Sequence, residues 1–69
     1  MKNRIREARN KAGLTQKELS EITGISKRSI EEWEAQRVEP SAYKLYNIAQ
    51  VLKCSIEDLL VIDDEEKPE

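Results

Sequence analysis

The sequence of 69 residues contains no histidine and no phenylalanine, one cysteine, two glycines and two prolines. A single cysteine cannot form a disulfide within the chain. The absence of histidine removes the side chain that most often serves as general base or metal ligand. No run of about 18 apolar residues is present, so no segment is expected to span a membrane. We therefore expect no enzyme, no cofactor, no metal site and no small-molecule ligand.

The chain has only three aromatic residues, so aliphatic side chains must fill its interior. A chain of this length supports one core and buries only about 60% of the surface of its unfolded form. The first ten residues, MKNRIREARN, are charged and lack the apolar stretch of a secretory signal. The sequence predicts one small cytoplasmic domain.

The segment TQKELSEITGISKRSIEEWE, residues 15–34, predicts two short helices joined by a tight turn. Thr15 is placed to cap a helix that begins at Gln16, and Glu18 completes a capping box. Leu19 and Ile22 are three residues apart and are predicted to face inward. Gly24 ends the helix because glycine adopts the left-handed conformation at little cost.

The second helix of this segment has its own start signal at Ser26, which follows an apolar residue, Ile25, that we expect to be buried. Ile30 and Trp33, with Arg37, define its inward stripe. Its outward residues are Lys27, Arg28, Ser29, Glu31 and Glu32. Two helices with so short a link must cross steeply, which is the layout of a helix-turn-helix.

Three more helices are predicted around this motif. Residues 3–12 form the first, which Gly13 ends. Ser41 caps a fourth helix after Pro40, and Ser55 caps a short fifth helix. Strand-like alternation appears nowhere. The sequence predicts an all-α bundle of five helices with the motif at helices 2 and 3.

The chain resembles the phage-repressor and Cro type of helix-turn-helix, the XRE family, over about residues 3–60. The resemblance lies in Leu14-Thr15-Gln16, Glu18-Leu19, Gly24-Ile25-Ser26, Ile30, Trp33-Glu34, Pro40-Ser41, Leu45, Ile48-Ala49, Leu52, Ser55 and Leu59-Leu60. It implies a lambda-repressor-like DNA-binding domain over residues 1–60. It also implies a sequence-specific regulator of transcription that binds double-stranded DNA, with repression as the expected outcome. Residues 61–69 are acidic and too polar and short to pack, so they are expected to form a frayed tail.

The charge distribution is uneven along the chain. Although the formal net charge is −2, residues 1–29 carry eight basic and three acidic side chains, and residues 30–69 carry four basic and eleven acidic ones. A basic region is what a DNA-binding surface requires, and only the first half of the chain provides it.

The resemblance also implies which residues contact DNA. The recognition helix, about residues 27–36, is expected in the major groove with its N-terminal residues against base edges. The expected base contacts are Lys27, Arg28, Ser29 and Glu32. Arg28 leads this set, because a guanidinium can bond bidentately to guanine. The expected phosphate contacts are Gln16, Arg37, Ser41, Tyr43 and Lys44.

Three of these residues have a second interpretation. Glu32 either accepts a hydrogen bond from cytosine or pairs with Arg28 at i, i+4. Lys27 contacts either a base or a phosphate. Tyr43 either donates its hydroxyl to DNA or packs on its neighbours.

Other residues are predicted to serve the fold. Trp33 is expected in the core, Cys54 as a small buried side chain, and Glu34 as an ion-pair partner of Arg9. Gln36 and Lys53 stand where the family commonly ends a helix with glycine, or in the second case asparagine. Either both residues are left-handed, or the helices end with a different local geometry. The acidic run at residues 63–66 is interpreted as solvated tail, since it lacks the pattern of a calcium loop.

A homodimer on a palindromic operator is expected, because one domain covers few base pairs. The predicted dimer surface lies on the C-terminal helix and comprises Ile56, Leu60, Val61 and Ile62. The alternative function is a protein-interaction module or antitoxin-like partner that keeps the fold with weak or no DNA binding. Glu31, Glu32 and Glu34 favour this alternative.

Overall fold

The computed structural model describes residues 2–61, which form five helices and one short pair of strands. The elements in chain order are β1 (Lys2–Asn3), α1 (Ile5–Lys11), α2 (Gln16–Thr23), α3 (Lys27–Glu34), α4 (Ala42–Leu52), α5 (Ile56–Leu59) and β2 (Leu60–Val61). The predicted all-helical class, the five helices and the position of the motif at α2 and α3 are confirmed.

The core draws at least one buried side chain from every helix. Ile25, in the turn between α2 and α3, is also buried, as predicted, and Trp33 is 5% exposed. Each large apolar side chain taken out of water contributes about 1.5–3 kcal/mol. The core residues are Ile5, Leu19, Ile25, Ile30, Trp33, Leu45, Ile48, Ala49 and Leu59.

The prediction that Ile22 faces inward is wrong, because its side chain is 56% exposed. The covered stripe of α2 consists of Gln16, Leu19, Ser20 and Thr23, which follow the i, i+3, i+4, i+7 pattern of one helix face. Ile22 lies on the neighbouring face of the helix, beside that stripe and outside it. Arg37 likewise is not part of the inward stripe of α3, since its side chain is 63% exposed.

A small antiparallel pairing joins the two ends of the described chain. Lys2 pairs with Val61 and Asn3 with Leu60, and the Arg4 amide donates to the Leu59 carbonyl at 2.8 Å. The first helix therefore begins at Ile5, later than the predicted residue 3. Strands of two residues are too short to show alternation in a sequence, which explains why they were not predicted.

The C-terminal helix is shorter than its predicted interface requires. It ends at Leu59, and Leu60 is extended with φ −110° and ψ 144°. Leu60 and Val61 thus belong to β2, and the prediction that they lie on the helix is wrong. Ile62 and the acidic run fall outside the described residues.

Three helices end in the same hydrogen-bond pattern, the Schellman motif, in which a left-handed residue follows the last turn. For α3, the Gln36 amide donates to the Trp33 carbonyl at 3.0 Å and the Arg37 amide to the Glu32 carbonyl at 3.1 Å. Gln36 and Lys53 have φ values of 64° and 58°, so both are left-handed, the first of the two alternatives. The motif also ends α1 at Gly13.

Candidate DNA-binding interface

Side-chain caps fix the start of both helices of the motif. The Glu18 amide donates to Thr15 Oγ1 at 3.0 Å, and the Thr15 amide donates to Glu18 Oε1 at 2.9 Å. The predicted capping box is therefore confirmed. At α3 the Ser29 amide donates to Ser26 Oγ at 3.1 Å, which confirms Ser26 as the cap.

Polar contacts hold the turn between the two helices. Gly24 is left-handed, with φ 78°, and the Ser20 hydroxyl donates to the Ile25 carbonyl. Asn47 of α4 donates its side-chain amide to the Thr23 carbonyl at 3.1 Å. This bond ties α4 to the C-terminal end of α2, directly before the turn.

Arg28 is the one residue of the predicted base-contacting set whose side chain is exposed and has no hydrogen bond or ion pair to another residue within 2–61. It lies in the first turn of α3. Its guanidinium keeps all five N–H donors available to a ligand.

The other three predicted base contacts have partners within the protein. Lys27 Nζ lies 3.1 Å from Glu31 Oε2, one turn along the helix. Ser29 is half-buried, and its hydroxyl accepts from the Ser26 hydroxyl at 3.0 Å. Glu32 accepts from Arg37.

Glu32 forms an ion pair with Arg37, a partner within the protein that was not predicted. Arg37 Nε donates to Glu32 Oε1 at 2.9 Å, and Arg37 Nη2 lies 3.5 Å from Glu32 Oε2. The hydrogen bond from Arg37 lowers the pKa of Glu32, and the positive charge of Arg28 acts in the same direction. The alternative that Glu32 bonds to Arg28 is therefore wrong, although the two residues interact through their charges.

Four of the five predicted phosphate contacts lie at the N-termini of α2 and α4, and the fifth, Arg37, follows the end of α3. Ser41 caps α4 by accepting from the Lys44 amide at 3.2 Å. Tyr43 is 81% exposed, so the interpretation that it packs on its neighbours is not supported. Lys44 is exposed beside it.

Gln16, the predicted phosphate contact at the start of α2, is bonded to a buried carboxylate. Its Nε2 donates to Glu34 Oε1 at 2.9 Å. The second N–H of that amide is not used by this bond, so the side chain is held in place and retains a donor.

Glu34 is the centre of this network, and its side chain is 0% exposed. Arg9 donates from Nε to Oε2 at 2.7 Å and from Nη2 to Oε1 at 3.0 Å, which confirms the predicted pair. Arg6 Nε lies 3.5 Å from Oε1. Burial opposes the charged carboxylate, but the hydrogen bonds from Arg9, Gln16 and Arg6 outweigh it and lower the pKa of Glu34.

The sequence profile of the helix-turn-helix family matches residues 5–59. A protein of Archaeoglobus fulgidus named "uncharacterized HTH-type transcriptional regulator" is 44% identical over 66 residues, which cover 96% of this chain and 94% of that protein. A protein with the same printed name from Methanothermobacter thermautotrophicus is 38% identical and covers 94% of this chain and 96% of its own length. The HTH-type transcriptional regulator DicA of Escherichia coli is 34% identical, over 94% of this chain and 48% of DicA. No solved structure matches significantly.

The chain belongs to the helix-turn-helix family, in its phage-repressor and Cro branch. The resemblance predicted from the sequence and the prediction of a DNA-binding transcriptional regulator are both confirmed. No helix of this helix-turn-helix protein within residues 2–61 is long and apolar enough to cross a membrane.

A clamp between β1 and the end of α3 was not predicted from the sequence. The Asn3 amide donates to Gln36 Oε1 at 3.1 Å, and Gln36 Nε2 donates back to the Asn3 carbonyl at 3.1 Å. Asn3 Nδ2 also donates to the Trp33 carbonyl at 2.9 Å. Gln36 thus pairs with β1 as a neighbouring strand would. An amide side chain at a position usually given to glycine was the only available signal.

Two of the four predicted dimer residues pack within the domain. Ile56 and Leu60 are half-buried and pack against the core of the helix-turn-helix domain. They also line an open hollow of about 190 Å³ together with Pro40, Ala42 and Leu45. Ile56 and Leu60 therefore have partners within the domain, while the apolar hollow beside them remains open.

Cys54 is half-buried and packs against the core, in line with the predicted structural role. Burial, and then the negative charge of Asp58, raise the pKa of the thiol. A raised pKa keeps the thiol protonated and makes it a poor nucleophile at neutral pH.

Proposed function

We propose that this chain is a sequence-specific regulator that inserts α3 into the major groove of double-stranded DNA and represses transcription by occupying its operator. The observation that carries this proposal is the exposed Arg28 in the first turn of α3, which has no ion-pair partner within residues 2–61. The N-terminal residues of a recognition helix are those that reach base edges. Repression requires only that DNA be occupied.

Base recognition is assigned first to Arg28, which bonds the N7 and O6 atoms of guanine. Ser29 lies beside it and assists from a fixed position, because its hydroxyl is bonded to Ser26. Lys27 and Glu32 join the base contacts by exchanging their present partners, Glu31 and Arg37, for DNA.

Phosphate contacts are assigned to both rims of α3. On one rim, the remaining side-chain N–H of Gln16 donates to a phosphate at the N-terminus of α2. The free backbone amides at this helix end also favour an anion. On the other, Ser41, Tyr43 and Lys44 surround the N-terminus of α4. Arg37 adds a contact at the exit of α3. These side chains fix the register of α3 in the groove.

We further propose a homodimer that binds a palindromic operator in the cytoplasm, with half-sites about one helical turn apart. The open apolar hollow beside Ile56 and Leu60 supports this surface. Val61 and Ile62 follow Leu60 in the sequence and are included in the proposed dimer surface. Nothing in the proposed activity requires catalysis.

The alternative is a protein-interaction module with weak or no DNA binding. The observation that favours it is the neutralisation of Lys27 by Glu31 and of Arg37 by Glu32, which removes two positive charges from the surface of α3.

Selection of bound DNA from random-sequence duplexes, followed by footprinting of the selected duplexes, tests the proposal. We expect a palindromic consensus with two protected half-sites about 10 base pairs apart, centre to centre. If the protein shows no salt-dependent binding to any duplex, the proposal is wrong and the alternative is favoured.

A further inference from the structure

Glu32 and Arg37 form an ion pair at the end of the recognition helix. Arg37 directs two donors at the two carboxylate oxygens, at 2.9 and 3.5 Å. The Arg37 side chain is 63% exposed and that of Glu32 is 29% exposed, so both groups reach the solvent. Arg37, whose guanidinium is assigned to a phosphate, is therefore already bonded to Glu32, a carboxylate of α3.

The backbone explains why these two side chains meet. In a Schellman motif the residue two positions after the last helical turn contacts a residue of that turn, usually through apolar side chains. Glu32 and Arg37 occupy these positions, since the Arg37 amide donates to the Glu32 carbonyl at 3.1 Å. Asn3 fixes the intervening Gln36. The motif thus holds an ion pair where an apolar contact is usual.

We propose that Glu32 couples base recognition to the phosphate contact of Arg37. On non-cognate DNA the ion pair between Glu32 and Arg37 remains formed, so Arg37 does not contact a DNA phosphate. At a site that presents a cytosine amino group to Glu32, the carboxylate accepts from N4, and Arg37 is released to a phosphate. This inference rests on the proposed function, because it requires α3 to enter the major groove.

The exchange is favourable only at a cognate site. A phosphate that takes Arg37 from Glu32 replaces one ion pair by another and leaves a carboxylate unpaired beside the DNA. Guanine and thymine present only acceptors or a methyl group at their major-groove edges, and these do not bind a carboxylate. Adenine N6 is also a donor, but the N7 acceptor beside it repels a carboxylate. Cytosine N4 is a donor without such a neighbour and therefore compensates best for the lost pair. Glu32 is therefore a specificity-determining residue that acts partly through Arg37.

Glu32→Gln tests the coupling, and Glu7→Gln is the matched control. Glu7 is an exposed carboxylate of α1 outside the proposed interface, and its removal changes the net charge equally. Both variants are first checked for native circular dichroism. Their affinities for the selected duplex and for a scrambled duplex of the same composition are then measured across 50–200 mM salt.

The inference predicts that Glu32→Gln gains affinity for the scrambled duplex. The dependence of log affinity on log salt concentration should also become steeper by the amount expected for about one additional phosphate contact. That amount corresponds to a change of about threefold in affinity across this range of salt. Glu7→Gln should not show this gain. The C·G pair whose cytosine binds Glu32 is then replaced in the selected duplex. This replacement should make the salt dependence of wild-type binding shallower and leave the salt dependence of Glu32→Gln unchanged.

Two results overturn the inference in different ways. If Glu32→Gln and Glu7→Gln bind the scrambled duplex equally while the wild type still binds the selected duplex, the coupling is wrong and the proposed function stands. If no variant shows salt-dependent binding to any duplex, both fail.

Discussion

Arg9 of α1 and Glu34 of α3 form a two-bonded ion pair whose carboxylate is fully buried, with N–O distances of 2.7 and 3.0 Å. Gln16 donates to the same carboxylate from the start of α2. Three helices therefore meet at one negative charge. A buried charge is tolerated only when hydrogen bonds satisfy it, and this one has donors from each neighbouring helix.

The first prediction is that Arg9→Met destabilises the domain strongly. The substitution leaves Glu34 with its charge buried and its principal partner gone, a situation that costs about 3–5 kcal/mol. Urea denaturation followed by circular dichroism measures the loss. Arg6→Met is the control, since Arg6 is 62% exposed and lies 3.5 Å from the carboxylate. It should cost no more than about 1 kcal/mol. Equal losses for the two variants would contradict the central role of Arg9.

The second prediction concerns pH. The pKa of Glu34 is lowered in the folded protein, because hydrogen bonds from Arg9, Gln16 and Arg6 outweigh the effect of burial. Its stabilising contribution is therefore complete above the unfolded pKa of about 4.3 and is lost as pH falls through the lower folded value. Urea midpoints measured from pH 7 to 3 should fall more steeply for the wild type than for Glu34→Gln. Parallel curves would show that Glu34 makes no such contribution.

The third prediction compares Gln36 and Lys53, the two left-handed residues other than glycine within residues 2–61. Lys53 has φ 58° and an exposed side chain, so Lys53→Gly should relieve strain and stabilise the domain by about 0.5–1 kcal/mol. Gln36→Gly relieves the same strain but loses the bonds to Asn3. Thermal melts should therefore rank Lys53→Gly above Gln36→Gly in stability. The reverse order would mean that the clamp on Asn3 contributes nothing.

The fourth prediction is that the protein is a dimer at tens of micromolar. An open hollow lined by Ile56, Leu60 and Leu45 exposes apolar surface that a second copy can cover. Light scattering gives the mass directly, and a monomer at that concentration would count against the proposed surface.

Local signals were sufficient to predict most of the fold. Thr15, Ser26, Ser41 and Ser55 each cap the helix that follows them, as their positions before apolar-periodic segments predicted. Such caps depend on residues three apart in sequence, so one sequence contains all the information they need.

The features that were missed depend on residues distant in sequence. The Asn3–Gln36 clamp spans 33 residues, and the strand pair joins the two ends of the described chain. Ile22 was misassigned because two apolar residues three apart fit two neighbouring helix faces, and only the packing of the other helices against α2 decides between them. The partner of Glu32 was misassigned because the Schellman turn brings Arg37 closer than helical periodicity suggests.

The central claim is that Arg28 reads the operator, and the affinity of Arg28→Ala for the selected duplex tests it most directly. Loss of a bidentate guanine contact should weaken binding by about 1–3 kcal/mol, and should weaken binding to a duplex with that guanine replaced much less. Arg4→Ala, an exposed arginine at the start of α1, controls for the lost charge. If Arg28→Ala and Arg4→Ala bind the selected duplex with equal affinity, Arg28 does not read the operator.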